Sequence, residues 1–321
     1  MDKMLEKLDN NISQMNYPLI SIIICTYNGE RFLKEQIQSI VEQTYPNLEI
    51  IISDDASTDK TKAILSEYKK FSNIQLVFNN TNIGFVKNFE FAARLANARY
   101  IAFSDQDDVW LPRKIEKLYH AIGNHSLVYS DSTLINQDGQ SLNKKLSDFK
   151  HMKNINDSRG FIFSNVISGH TIMINKELLK YALPIPIPES YYHDWWFGVQ
   201  AANLKGIIYL NEVLTLYRQH RATVTKTIVE RKRGSRKFSK RFQHHLRELK
   251  WVELIKNSEL EKHKPFYNQL YNLLLLKNKK VFVWSLFCFL LRNEKVFFQF
   301  SKKGFFSKII EIRKMARGER L

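Results

Sequence analysis

The stretch Ser104 to Lys114, SDQDDVWLPRK, sets three carboxylates, Asp105, Asp107 and Asp108, within four residues, directly after the apolar run Tyr100 to Phe103. Like charges at the end of a buried strand repel, so they need a partner. Two carboxylates spaced as Asp105-Gln106-Asp107 suit Mg²⁺ or Mn²⁺, hard cations that take one or two carboxylates plus phosphate oxygens and water. A metal there would neutralise charge developing on a diphosphate leaving group. The competing reading is a solvated loop and an acidic helix N-terminus, with Asp108 capping the helix expected after Pro112.

Other polar clusters raise similar choices. Asp54-Asp55-Ala-Ser-Thr-Asp59 reads as a helix cap, or as a carboxylate that accepts the N3 proton of a uracil or thymine ring, with Thr26 and Tyr27 as the other wall. Asn82-Ile-Gly84 with Lys87-Asn88 reads as a turn and a solvated lysine, or as backbone and cation set against a nucleotide. His193-Asp194, in YYHDWW, reads from the residues alone as a hydrogen-bonded structural pair. Trp195 and Trp196 offer a sugar platform or core, with core expected for one of them.

These residues need a scaffold. LISIIIC (19 to 25) is a β-branched run of the kind found in strands covered on both faces. After Tyr27-Asn28-Gly29, the residues Phe32, Leu33, Ile37, Ile40 and Val41 form one helical stripe. Strands are expected at 48–53, 74–78 and 100–103, and helices at 61–71 and 85–96. This alternation predicts right-handed βαβ units and a mainly parallel sheet flanked by helices. Ligands bind such sheets beyond the carboxyl ends of the strands, which is where Thr26 to Asn28, Asp54-Asp55 and Asp105 to Asp108 fall. Further strands are expected at 127–130 and 169–174, with an extended connector through Pro184, Pro186 and Pro188.

The chain has 321 residues, 49 Lys and Arg against 32 Asp and Glu, and a formal charge of +17, which favours anionic partners: nucleotides, nucleic acid or an acidic membrane. A 44% hydrophobic content excludes a disordered chain, and two cysteines support no disulfide or zinc framework. The polar start, residues 1–16, has no apolar signal core, so a cytoplasmic setting is expected. The composition changes after Tyr217, and basic residues dominate from 231 to 250. We place a boundary near 222, with a mostly helical basic region at 223–321. Its run VFVWSLFCFLL is shorter than the roughly 20 apolar residues a bilayer span needs. Aromatic residues interleaved with Lys and Arg instead suit an interfacial helix on anionic lipid. Nucleic-acid binding through the basic run is disfavoured by the acidic cluster and by the lack of a recognised motif.

Taken jointly, PLISIIICTYNGERFLKEQIQSIVEQTYPNLEIIISDDASTDKT, NNTNIGFVKNFEFA and YIAFSDQDDVWLPRKIE resemble the family 2 glycosyltransferases of the GT-A fold, over roughly residues 17–222. The resemblance implies a Rossmann-like GT-A domain and inverting sugar transfer from a nucleoside diphosphate sugar. It implies nucleotide contacts from Thr26, Tyr27, Asn28, Asp54, Asp55, Lys87 and Asp105, and a metal held by Asp105 and Asp107 with His220 from YRQH. Asp194 falls where the family's catalytic carboxylate lies, although His193 replaces the more frequent Glu. Gly169, His193 and Trp195 are implied on the acceptor side. The processive QxxRW motif is absent, which argues for single additions. SDQDDVWLPRKIE, YHDWW and YRQH together resemble a bacterial subgroup with many rhamnosyltransferases of capsule, O-antigen or wall polysaccharide assembly. That narrows the expected donor to dTDP-L-rhamnose, with UDP-galactose, UDP-glucose and UDP-N-acetylglucosamine as alternatives. The expected acceptor is a saccharide or polyprenyl-diphosphate-linked saccharide at the inner face of the cell membrane. A non-catalytic GT-A binding module is the competing class.

Overall fold

The structure, a computed structural model, describes residues 17–186, 192–220 and 238–318. The expected N-terminal extension at 1–16, Pro188, Tyr191, the 222/223 boundary and the first part of the basic run lie outside the described residues.

The first half alternates strand and helix: β1 (Ile20–Thr26), α1 (Leu33–Val41), β2 (Leu48–Asp54), α2 (Thr61–Ser66), β3 (Ile74–Phe78), α3 (Phe85–Leu95) and β4 (Tyr100–Ser104). These strands lie in the order β3-β2-β1-β4 and are all parallel. Register sets the site, because Thr26 lies opposite Asp54, and Ile24 lies opposite Ser104. The three polar clusters therefore leave the sheet along one edge.

The second half is β5 (Val109–Trp110), α4 (Lys114–Ile122), β6 (Leu127–Ile135), β7 (Ser141–Lys145), α5 (Leu146–Phe149), β8 (Ile172–Asn175), α6 (Leu179–Ala182), α7 (His193–Leu204) and β9 (Ile207–Arg218). β8 runs antiparallel between β4 and β6, β9 runs parallel to β6, and β5 runs antiparallel to β9. The sheet is thus mixed, with a parallel half that carries the clusters and a second half that closes over them. Neither β7 nor β9 is marked by the expected alternation. In β9 the register to β6 shifts at Ser130, Asp131 and Ser132, and such bulges break the period-2 pattern. α2 stops at Ser66, short of the expected residue 71.

Alternate residues of β1 feed two cores, as a pleated strand dictates. Ile22 and Ile24 pack with Leu33, Ile37 and Ile115 on one face. Ile23 and Cys25 pack with Phe89, Phe103 and Phe197 on the other. The second core continues into the C-terminal helices α8 (Phe238–Asn257), α9 (Lys264–Leu275), α10 (Trp284–Arg292), α11 (Glu294–Phe297) and α12 (Phe305–Met315), through Trp251, Val252 and Tyr267. Ser158 Oγ and Asn203 Nδ2 both donate to the buried Glu261, at 3.0 and 2.9 Å, which ties these helices to the sheet domain by polar contacts too. The run at 281–291 yields the nine-residue α10, and no helix among the described residues is long and apolar enough to cross a membrane.

Candidate functional site

At the carboxyl end of β1 and β2, Thr26 Oγ1 donates to Asp54 Oδ1 at 2.9 Å, and Ser57 N donates to Asp54 Oδ2 at 3.0 Å. Asp55 accepts Ile83 N, Gly84 N and Asn79 Nδ2, each at 2.9 Å. Asp54 Oδ1 also accepts Ser57 Oγ; both carboxylates are buried, so each holds the loop that frames the cleft, and three of its roughly four acceptor positions are committed. Gly84 must adopt φ +84°, which explains a glycine before α3. Asn28 takes a left-handed φ of 48°, and its Oδ1 accepts Thr58 N. Tyr27 is half exposed and Lys87 is exposed in the first turn of α3, so both side chains remain available to a ligand.

Gln106 went unassigned in the sequence. It accepts Tyr27 N at 2.9 Å and donates to Tyr27 O at 3.1 Å, pairing the acidic loop with the end of β1 as a strand would. A Cβ on Gly29 would lie 2.4 Å from Gln106 Oε1, so glycine is required for that approach.

The acidic residues divide into two groups. Asp107 Oδ2 lies 2.7 Å from His220 Nε2. Asp105 Oδ2 and Asp108 Oδ2 lie 3.6 and 3.7 Å from Nδ1 of the buried His170, and among the described residues these three form the cluster able to converge on one cation. Asp108 does not cap α4. Its Oδ1 accepts Arg218 N at 2.9 Å, while its Oδ2 is buried with no hydrogen-bond partner. Burial, with Asp107 and Asp105 nearby, pushes the Asp108 carboxyl well above its usual range. Burial also keeps His170 below its ordinary value and therefore neutral, with Nε2 3.0 Å from Ser132 Oγ. An orphaned oxygen, two hard carboxylates and a neutral imidazole fit Mg²⁺ or Mn²⁺.

Two buried basic side chains support the site. Arg218, buried at the end of β9, donates to the Asp107 carbonyl at 2.9 Å and to Glu35 Oε2 at 2.6 Å, and its guanidinium lies 4.6 Å from the Phe32 ring centroid. Lys114, fully buried at the start of α4, donates to His170 O and to Thr215 Oγ1, the latter at 2.8 Å, and sits 3.8 Å from the Trp110 ring centroid. Burial drives its ammonium well below the usual lysine range, against the attraction of Asp108 and Asp105. Nothing in the sequence distinguishes Lys114 from a solvated lysine at a helix start.

Asp194 opens α7. Its Oδ2 accepts Gly169 N at 3.1 Å, whereas its Oδ1 is sealed from solvent with no partner. Burial raises its carboxyl to about 7, opposed by the Lys150 charge. Gly169 and His170 are consecutive residues of one 3₁₀ turn, so a single turn touches Asp194 with one residue and the acid cluster with the next.

The other residues expected on the acceptor side are placed differently. His193 is buried, its ring 4.2 Å from that of Phe89 and 5.7 Å from that of Phe103, and neither nitrogen has a partner. Burial lowers its pKa to about 4, so it is a neutral core ring. Trp196 is core, with Nε1 on Ala182 O at 3.0 Å. Trp195 is half-buried, and its Nε1 donates to Phe161 O at 2.6 Å.

Residues 21–182 match the model of "Glycosyl transferase family 2". The chain is a family 2 glycosyltransferase. This glycosyltransferase is 33% identical over 163 residues to a putative teichuronic acid biosynthesis glycosyltransferase, TuaG, of Bacillus subtilis, across 50% of the chain and 63% of that relative, under two thirds of its length. It is 30% identical over 207 residues to the Escherichia coli UDP-Glc:alpha-D-GlcNAc-diphosphoundecaprenol beta-1,3-glucosyltransferase WfaP, across 64% of the chain and 80% of that relative. Its fold is shared with Staphylococcus aureus TarS 1-349, solved in complex with UDP-GlcNAc: the TM-score is 0.58 at 18% identity, covering 92% of the chain and 90% of TarS 1-349. The GT-A fold class expected from the sequence is the one observed.

Proposed function

We propose that this glycosyltransferase moves a single hexose, with inversion, from a nucleoside diphosphate sugar to a lipid-linked saccharide in cell-surface polysaccharide synthesis, at the inner face of the cell membrane. The observation that carries this reading is the Gly169-His170 turn. It holds the Asp194 carboxylate through Oδ2 on one side, leaving Oδ1 without a partner, and meets an acid cluster suited to a divalent cation on the other. Inversion needs that division: a base on one face of the anomeric carbon, and charge neutralisation for the departing diphosphate on the opposite face.

In this mechanism, the Asp194 carboxylate takes the proton of the acceptor hydroxyl as that oxygen attacks, while Gly169 N–H fixes the carboxylate through Oδ2. A carboxyl titrating near 7 is poised to accept a proton at neutral pH. Asp105 and Asp108 with His170 would hold Mg²⁺ or Mn²⁺, which supplies charge neutralisation to the diphosphate when bound. The Asp107–His220 pair, expected to complete the metal set with Asp105, lies on the Arg218 side of the same loop, where it would border the diphosphate. Thr26, Tyr27, Asn28, Asp54 and Asp55 frame the pyrimidine end, with Lys87 over the phosphates.

WfaP, by its name, uses UDP-glucose and an acceptor on diphosphoundecaprenol, which favours a UDP-hexose donor. The rhamnosyl donor expected from the subgroup resemblance shares the pyrimidine N3–H edge, so dTDP-L-rhamnose is the competing donor. Calorimetric titration of UDP and dTDP, with and without Mn²⁺, separates them. Metal-dependent binding of UDP over dTDP is the expected result, and preference for dTDP would replace the donor. Binding of neither would support the non-catalytic module.

A further inference from the structure

The C-terminal helices leave large apolar side chains in solvent. Trp284 is 70% exposed, Val281 62%, Phe305 58%, Phe306 81% and Ile310 56%. Single exposed apolar residues are ordinary on a protein surface, whereas a concentration on two neighbouring helices marks an interaction surface. α10 and α12 pack side by side and run antiparallel: Val283 N donates to Ala316 O at one end, and Lys308 pairs with Glu294 at the other. Along α10, Trp284, Cys288 and Leu291 recur at helical spacing on the exposed side, as Phe306 and Ile310 do on α12.

The surroundings select the occupant. Between residues 279 and 318 there are ten lysines and arginines against two glutamates, Glu294 and Glu311, and each glutamate already pairs with a lysine. Arg292, Lys295, Lys302, Lys303, Arg313 and Lys314 are exposed around the aromatic residues. Large aromatics rimmed by cations complement an anionic lipid surface, where rings enter the headgroup boundary and cations meet lipid phosphates.

The placement also agrees with the catalytic side. The Phe300 ring packs at a tilt against that of Phe161, centroids 5.1 Å apart, and the Phe300 carbonyl accepts His151 N. Phe161 O in turn receives the indole N–H of Trp195, the neighbour of Asp194. Four residues lie between Phe300 and Phe305, so at most about 18 Å of chain joins them. An acceptor whose lipid tail remains in the bilayer would be met by a catalytic carboxylate held close to that bilayer.

We propose that Trp284, Phe305, Phe306 and Ile310, with their rim of lysines and arginines, form a docking face for an anionic membrane. This deepens the reading of a lipid-linked acceptor by naming the surface that brings the enzyme to it. Binding itself does not depend on transfer.

The test is sedimentation of the full chain with vesicles of phosphatidylcholine, alone or with phosphatidylglycerol. Strong partitioning only onto phosphatidylglycerol vesicles is expected, with a blue shift in tryptophan emission that Trp284→Phe removes, because Trp110, Trp196 and Trp251 are buried and the half-buried Trp195 has its indole N–H on Phe161 O. The double substitution Phe305→Ser, Phe306→Ser should reduce partitioning by roughly 10- to 100-fold, and Lys302→Glu with Lys303→Glu should reduce it again. Nucleotide binding without lipid, measured on the same preparations, should stay unchanged. Equal binding to neutral vesicles, or wild-type partitioning by the phenylalanine variant, overturns the proposal. So does a dimer in lipid-free solution that Phe306→Glu dissociates, since the face would then serve a second copy of the chain. Loss of nucleotide binding in the wild-type protein would instead count against the transferase reading.

Discussion

Asp194→Asn separates the two consequences of burying a carboxylate without a partner for one oxygen. The Asp194 carboxyl is raised from 3.8 to about 7. At ~1.4 kcal/mol per decade, its ionised form costs the folded state up to about 4 kcal/mol above pH 7. A group with a raised acid pKa destabilises at high pH, and that cost disappears as pH falls through 7 towards 4. Asparagine can keep the Gly169 N–H bond through its carbonyl, but it places an NH₂ where Oδ1 has no partner, at a cost of about 1–3 kcal/mol. The variant should therefore be more stable than wild type at pH 8 by about 1–3 kcal/mol. At pH 4 the advantage should be gone or reversed.

His193 makes the pH profile more informative. Its pKa, lowered from 6.5 to about 4, costs about 3 kcal/mol of stability as pH falls from 6.5 to 4, opposite in sign to Asp194. The two adjacent residues nearly cancel in the wild type. Asp194→Asn should unmask an acid-induced fall in melting temperature, and Asp194→Asn with His193→Leu should flatten it. Thermal melts from pH 4 to 8 measure both, and parallel curves for Asp194→Asn and wild type would refute the reasoning. Transfer by the same variant should fall by about 10² to 10⁴, while wild-type turnover should rise with pH through about 7.

Arg218→Met should lower stability by about 3 kcal/mol, because it strips the buried guanidinium from the Asp107 carbonyl and from Glu35; Arg218→Lys should rescue little, since one ammonium cannot span both, and denaturant melts decide. Gly29→Ala should swing Gln106 off the Tyr27 backbone and weaken nucleotide binding about tenfold with little change in melting temperature; unchanged affinity would show that the pairing does not shape the pocket. His193→Leu should leave transfer within a few-fold of wild type, because the imidazole is neutral and enclosed by aromatic rings, and a large rise in acceptor KM would restore an acceptor role. Asp108→Asn should abolish Mn²⁺ binding in calorimetry as fully as Asp105→Asn does, an outcome that a capping role for Asp108 would not give.

Local pattern alone specifies the parallel half of the sheet and gathers the polar clusters at the carboxyl ends of its strands. Its strands are near-continuous β-branched runs, its helices carry a clear apolar stripe, and each ends in polar residues that a buried strand would not tolerate. Thr26, Asp54 and the acids after Phe103 were therefore legible as one cleft edge from local pattern alone. How those acids pair depends instead on residues far along the chain. Asp108 joins Asp105 through His170, 62 residues further on, and Arg218 clamps the loop from β9, a strand whose bulges hide its alternation. The same holds for His193 and Lys114. One is a polar residue that packs as a core ring and the other a helix-start lysine buried beneath the acid cluster, because burial is set by which elements close over a side chain, and that information lies in contacts between distant segments.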